Sequence, residues 1–157
     1  TRVINQIPEF KVRADESGRL GHWESISPTY NLFHEDDRTF SCVYTDYAEE
    51  FEVFYHKMVA DMQKYKNIKG VCPIASPSNC FHVSCVPWLS YSNLSIAVQS
   101  NKLEPIITCG KYYQQGEKTL LPLSLQAHHA IADGFHASLL INKVQEVTLS
   151  PSQLTNS

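Results

Sequence analysis

The sequence predicts a two-layer α+β sandwich, a β-sheet with its helices gathered on one side, and three observations carry that reading. Phe51, Phe54, Tyr55, Met58, Val59 and Met62 recur at three- and four-residue spacing, the pattern of an amphipathic helix. Ala137, Leu140, Ile141, Val144 and Val147 repeat in the same way and mark a closing helix. The remaining segments are short, aromatic or β-branched, and punctuated by Gly, Pro, Asn and Asp, which is strand-and-turn chemistry.

In chain order, residues 1–7 read as a helix stopped by Pro8. Residues 10–12 alternate like a strand, Ser17-Gly18 makes a turn, and residues 22–26 return as a second strand. Residues 30–33 and 40–44 flank the polar turn His34-Glu35-Asp36-Asp37 and form a meander. Asp46, with Glu49 three residues on, resembles a capping box and opens the helix 47–66, whose apolar stripe is expected in the core. Residues 67–79 carry Gly70, Pro73 and Pro77 and form a loop. Residues 80–86 are a strand ended by Pro87, and residues 91–98 are another. Residues 106–113 and 119–127 flank Gln114-Gln115-Gly116-Glu117 as one long hairpin. The Ser-, Thr- and Asn-rich tail 148–157 is expected to fray.

Composition narrows the function classes. A chain of 157 residues with 43% apolar side chains makes one domain with a core of its own. The net charge, 13 − 16 = −3, supplies no basic field for nucleic acid. No apolar run approaches the roughly 20 residues that a spanning helix needs. Charged residues are only 18%, which hints at surface covered by a partner. Cysteines 42, 72, 80, 85 and 109 are odd in number and hold no Cys-x-x-Cys pair. They read as reduced thiols of core or pocket, and therefore as a cytosolic chain.

The densest reactive cluster is His128-His129-Ala130-Ile131-Ala132-Asp133-Gly134-Phe135-His136, where an apolar strand hands over to a helix. In an extended backbone the two adjacent histidines would face opposite ways. Three readings are open on the residues alone. A neutral imidazole there can act as a general base, a service of about 10²–10⁴-fold. His129, Asp133 and His136 could hold a metal, although no fourth ligand is indicated. The same groups could simply hydrogen-bond within the fold.

His-His-x-x-x-Asp-Gly resembles the signature of CoA-dependent acyltransferases, a group that includes chloramphenicol acetyltransferases, lipoyl acyltransferase cores and peptide-synthetase condensation domains. The surroundings narrow the choice. Thr39-Phe40-Ser41, Ser84-x-x-Pro87-Trp88, Pro105-Ile106-Ile107-Thr108-x-Gly110-Lys111-Tyr112 and Leu121-Pro122-Leu123-Ser124-Leu125-Gln126 precede the histidines, and Phe135-His136 follows Gly134. In this order they resemble the trimeric chloramphenicol acetyltransferase family over residues 2–147.

The resemblance implies a CoA-dependent acyltransferase fold with a mixed sheet, a domain over 1–147 and a tail over 148–157. It implies that His129 takes the proton of the drug's C3 hydroxyl, whose oxygen attacks the thioester of acetyl-CoA directly, with no acyl-enzyme. The chemistry needs a neutral imidazole, and an ordinary His pKa near 6.5 supplies one at pH 7. It further implies that Ser84 donates to the oxyanion, that Thr108 holds a nearby water, and that Asp133 supports the site structurally. Phe40, Cys72, Leu94, Ile96 and Val98 would line the antibiotic pocket, and Trp88, Lys111 and Tyr112 the CoA channel. Acetyl-CoA is then a co-substrate, no cofactor is permanently held, and the partner is a homotrimer with sites between subunits.

Against the family pattern, the chain opens on Thr1-Arg2-Val3-Ile4 without an initiator Met, as a helix already under way. It reads as the C-terminal majority of the domain, without the opening segment that carries the arginine partner of Asp133. The link from Val98 to Pro105 is also short. Two further readings follow: a short form that binds drug or CoA without turnover, and an acyltransferase for another hydroxyl or thiol acceptor.

Overall fold

The computed structural model describes residues 1–15, 17–97 and 102–150. Its centre is a five-stranded sheet in the order β4-β3-β5-β6-β9, where β3 is Ser27–His34, β4 Thr39–Tyr44, β5 Cys80–Cys85, β6 Ile106–Cys109 and β9 Leu123–Gln126. The β3–β5 and β5–β6 pairs are parallel, and the β3–β4 and β6–β9 pairs antiparallel, so the sheet is mixed as expected. Two ribbons stand apart: β1 (Val12–Ala14) with β2 (Leu20–His22), and β7 (Tyr113–Gln115) with β8 (Lys118–Leu120).

Alternation along the strands gives the sheet two unlike faces. Phe81, Val83, Ile107 and Leu125 point to one side, where they meet α1 (Arg2–Asn5) and α3 (Gly134–Leu149) through Val3, Ile4, Leu140 and Val144. Helix α2 (Phe51–Tyr65) lies on the same side: Asp61 Oδ2 accepts from Thr45 Oγ1 at 2.8 Å, and Thr45 Oγ1 bonds Tyr30 Oη at 2.8 Å. The opposite face carries Thr29, His82, Ser84, Ile106, Thr108, Ser124 and Gln126, matched strand to strand by the register. The helices thus take one face, and the other is left for chemistry.

Several elements differ from the sequence reading, each for a local reason. The strand expected at 10–12 begins only at Val12. Pro8 starts a 3₁₀ turn, Pro8–Lys11, with its fixed φ suited to the first helical position, and Phe10 drops fully buried into the core. The strand expected at 22–26 ends at His22. The Asn5 side chain takes both backbone groups of Ile26, accepting from its N–H at 2.7 Å and donating to its carbonyl at 2.9 Å. The capping box at Asp46 and Glu49 does not form. Helix α2 starts at Phe51 behind Glu50, with no side-chain cap.

The α2 stripe is not closed core either. Phe54 and Met58 are half-buried, while Phe51, Tyr55, Val59 and Met62 are exposed. Residues 91–97 form no strand, and Val98 lies outside the described residues. Side chains hold this stretch in place of a backbone ladder: Tyr91 Oη donates to Thr108 O and Ser90 Oγ to Lys111 O, both at 2.6 Å. The long hairpin is split in two at Gly110 and Pro122. Gly110 N–H donates to Pro122 O at 2.9 Å, and a Cβ at Gly110 would sit 2.8 Å from the Tyr91 ring. The outer ribbon closes on Gly116, whose φ of 62° suits the first position of a two-residue turn. Helix α3 begins earlier than the apolar repeat implied and runs into the first residues of the expected tail.

Candidate active site

Strand β9 ends at Gln126, and the backbone turns before α3 begins at Gly134. The turn is built on His128, whose carbonyl accepts from Ile131 N–H at 3.1 Å and Ala132 N–H at 3.2 Å, and whose Nδ1 accepts from Ala130 N–H at 3.2 Å. The backbone has already left the strand here, and His128 and His129 both border one cleft. That cleft has a volume of about 790 Å³ and lies against the open face of the sheet, with His82, Thr29, Gln126, Lys102 and Glu104 also on its wall. His129 is exposed and His82 half-buried.

Asp133 is the N-cap of α3. Its Oδ1 accepts from Phe135 N–H at 2.9 Å and His136 N–H at 3.3 Å, and lies 2.7 Å from His136 Nδ1, completing a capping box. The other ring nitrogen of His136 is 3.5 Å from Glu9 Oε1. Among the described residues, the side chain that holds Asp133 is that of His136. The His136 backbone amide, and then its ring, keep the Asp133 carboxyl below the usual carboxylate range. This support is present above the ordinary carboxylate pKa and is lost as pH falls through the lowered value. Asp133→Ala is expected to lower the melting temperature measured by circular dichroism, and Asp133→Asn to lower it less, because Asn also caps.

Ser84 on β5 and Thr108 on β6 are register partners, and Ser124 on β9 stands opposite Thr108. Ser84 and Thr108 lie two residues beyond His82 and Ile106, so they share the cleft's side of the sheet. Ser84 is half-buried and Thr108 is covered. Behind the cleft sits a buried arginine. Arg13 donates to Val12 O at 2.6 Å, Cys80 O at 2.8 Å and Phe10 O at 3.2 Å, with Glu104 Oε1 at 3.9 Å.

The residues expected for CoA are gathered on one exposed edge: Lys111 N–H donates to Leu89 O at 2.8 Å, which sets Trp88 near Lys111 and Tyr112. The residues expected for the drug are not gathered at His129. Phe40 stands opposite Phe33 in the β3–β4 pair, and Phe33 meets Trp88 edge-on with ring centroids 4.9 Å apart. Cys72 is exposed beside β4, where Cys42 N–H donates to Val71 O at 2.8 Å. Leu94 lies in a separate groove with Tyr91, Leu125, Ala137 and Ile141. Ile96 is half-buried in the same irregular stretch.

Among the described residues, no three His, Cys, Asp or Glu side chains are grouped as metal ligands, so His129, Asp133 and His136 do not form the site that their spacing allowed. All five cysteines are unpaired. No helix of the described residues is long and apolar enough to cross a membrane. Sequence reasoning missed His82, Gln126 and Glu104. The signal for His82 was its alternation with Ser84 on one short strand.

The comparisons with known proteins agree with this geometry. The family model for chloramphenicol acetyltransferase matches residues 1–145. A chloramphenicol acetyltransferase of Clostridium perfringens is 41% identical over 150 residues, covering 94% of this chain and 68% of the relative. One from Staphylococcus aureus is 39% identical over 155 residues, covering 97% and 72%. A solved structure named chloramphenicol acetyltransferase superposes with a TM-score of 0.78 at 21% identity, covering 92% of this chain and 72% of that one. The dihydrolipoamide acetyltransferase of Azotobacter vinelandii superposes at 0.73 with 16% identity, covering 98% and 66%, a likeness of fold.

Proposed function

The chain belongs to the chloramphenicol acetyltransferase family, and on that premise we propose that it is an acyltransferase moving an acetyl group from acetyl-CoA to the C3 hydroxyl of chloramphenicol. The observation that carries the reading is His129, exposed on the wall of a large cleft at the end of β9, on the side of the sheet that bears Ser84. Its imidazole takes the hydroxyl proton as the alkoxide oxygen attacks the thioester carbonyl. Ser84 donates a hydrogen bond to the tetrahedral oxyanion. Collapse breaks the C–S bond, the imidazolium returns the proton to the CoA sulfur, and the acetate ester leaves. Asp133 keeps the turn in shape by capping α3, and Thr108, packed beside Ser84, belongs to the same support.

Trp88, Lys111 and Tyr112 suit CoA: an aromatic for the pantetheine arm, a cation for phosphate and a ring for adenine. The separation of Phe40 and Leu94 from His129 supports a homotrimer in which a neighbouring subunit completes each drug site. So do the exposed rings of Phe33, Phe40 and Trp88. Unpaired cysteines support a cytoplasmic location.

Thiol release from acetyl-CoA, followed with and without chloramphenicol, tests the reading. Release that depends on the drug is expected. Calorimetric binding of drug or CoA without release would replace the enzyme with a binding protein, and release that requires a different acceptor would replace the substrate. Ser84→Ala is expected to lower kcat about 10²–10³-fold with little change in either KM, since it removes one donor to the oxyanion.

A further inference from the structure

The acetyl transfer described above leaves one histidine of the cleft without a role. His82 lies two residues before Ser84 on β5, on the same side of the sheet, and borders the cleft that His129 borders. Its neighbour across the β3–β5 pair is Thr29, and the two side chains meet: Thr29 Oγ1 is 2.9 Å from His82 Nδ1.

Hydrogen-bond arithmetic favours one tautomer. Thr29 Oγ1 is also 3.2 Å from the carbonyl oxygen of Phe81. A carbonyl can only accept, and a hydroxyl has one proton to give. The arrangement that satisfies both contacts sends that proton to Phe81 O and has His82 Nδ1–H donate to Thr29 Oγ1. A neutral imidazole protonated at Nδ1 has a bare lone pair at Nε2. Burial favours the neutral ring, lowering the His82 pKa, and the positive charge of Lys102 adds to it. No described residue donates to Nε2, so in this tautomer the ring offers the cleft an acceptor.

The geometry points to His82 as a specificity-determining residue: its Nε2 accepts a hydrogen bond from a second O–H or an N–H of the alcohol substrate, distinct from the hydroxyl that His129 deprotonates. The inference rests on the acetyl-transfer reading and sharpens the substrate class. The substrate is a small alcohol with a second polar hydrogen near the reacting hydroxyl, and chloramphenicol, with a secondary hydroxyl and an amide N–H, meets that description. Alcohols that lack such a donor leave the ring nitrogen unpaired and bind less well.

Steady-state kinetics on the whole chain test it. His82→Phe and His82→Met remove the acceptor. Each is expected to raise KM for chloramphenicol about 10-fold, as losing a hydrogen bond to a partly buried group does. KM for acetyl-CoA and kcat should stay close to those of the parent chain. His82→Gln, which keeps an acceptor at similar reach, is expected to stay near the parent KM for the drug. An unchanged drug KM in whichever apolar variant folds, or an equal rise in both KM values, overturns the inference. So does a Gln variant as weak as the apolar ones. If the parent chain releases no thiol, the acetyl-transfer reading fails. The chloramphenicol Kd by calorimetry then decides the His82 contact separately, and an equal Kd for parent and His82→Phe overturns it.

Discussion

His129→Ala is expected to reduce chloramphenicol-dependent thiol release by about 10²–10⁴-fold, the range that a positioned general base contributes. The loss should fall on kcat. His129 is exposed, so its removal leaves no cavity and opens no core contact, and the melting temperature by circular dichroism is expected to match that of the parent. KM for both substrates should move little, because the imidazole acts on a proton that travels only in the transition state. His129→Gln is expected to be as inactive as the alanine variant, since an amide can hydrogen-bond the hydroxyl but cannot hold its proton. Turnover near the parent rate in either variant would remove His129 from the base role and return the choice to the other groups on the cleft wall.

Phe81→Ala is expected to act on stability in the way that His129→Ala acts on rate. Phe81 is 1% exposed and sits on a central strand, facing the cluster that joins the sheet to α1 and α3. Truncating a buried Phe costs about 3–5 kcal/mol, from lost burial and from a cavity that its neighbours fill only in part. That is a large share of the roughly 5–15 kcal/mol that holds an ordinary domain folded. The melting temperature should fall by roughly 10 °C or more. Soluble, folded protein at low temperature should still release thiol, because the Phe81 side chain belongs to the core cluster on the face of the sheet opposite His82 and Ser84. A melting temperature within a degree or two of the parent would mean that the face assigned to the core is not packed against the helices.

The two substitutions separate what was legible in the chain from what was not. The strand positions and the His128–Gly134 turn could be read locally, because alternation and turn residues are properties of short windows. The mixed sheet and its order could not be read that way. The parallel pairing of β3, β5 and β6 joins segments far apart in the chain, and it entered the sequence reading only through the resemblance. Where local signals failed, a long-range partner had overruled them. Asn5 took the backbone of Ile26 and ended a strand, and the Tyr91 ring against Gly110 split a hairpin. The α2 stripe has the periodicity of a buried helix, but periodicity says only that a face is apolar, not that something covers it. His82 escaped notice because a single histidine in a strand looks like any half-buried polar residue until Thr29 is found beside it. His136 was legible as part of a motif, while its bond to Asp133 was not.

The two-faced sheet carries one more consequence. On β5 the side chains alternate between the packed face, with Phe81 and Val83, and the cleft face, with His82 and Ser84. Strand pairing therefore acts as a reading frame. Adding or deleting one residue within β5 would present a phenyl ring and an isopropyl group to the substrates and push an imidazole and a hydroxyl among the helices. Folding and chemistry would fail together. Length variation in this architecture is thus confined to the connections between strands, and new acceptor preferences must arise by exchanging side chains at alternate positions, with the number of residues in each strand held constant.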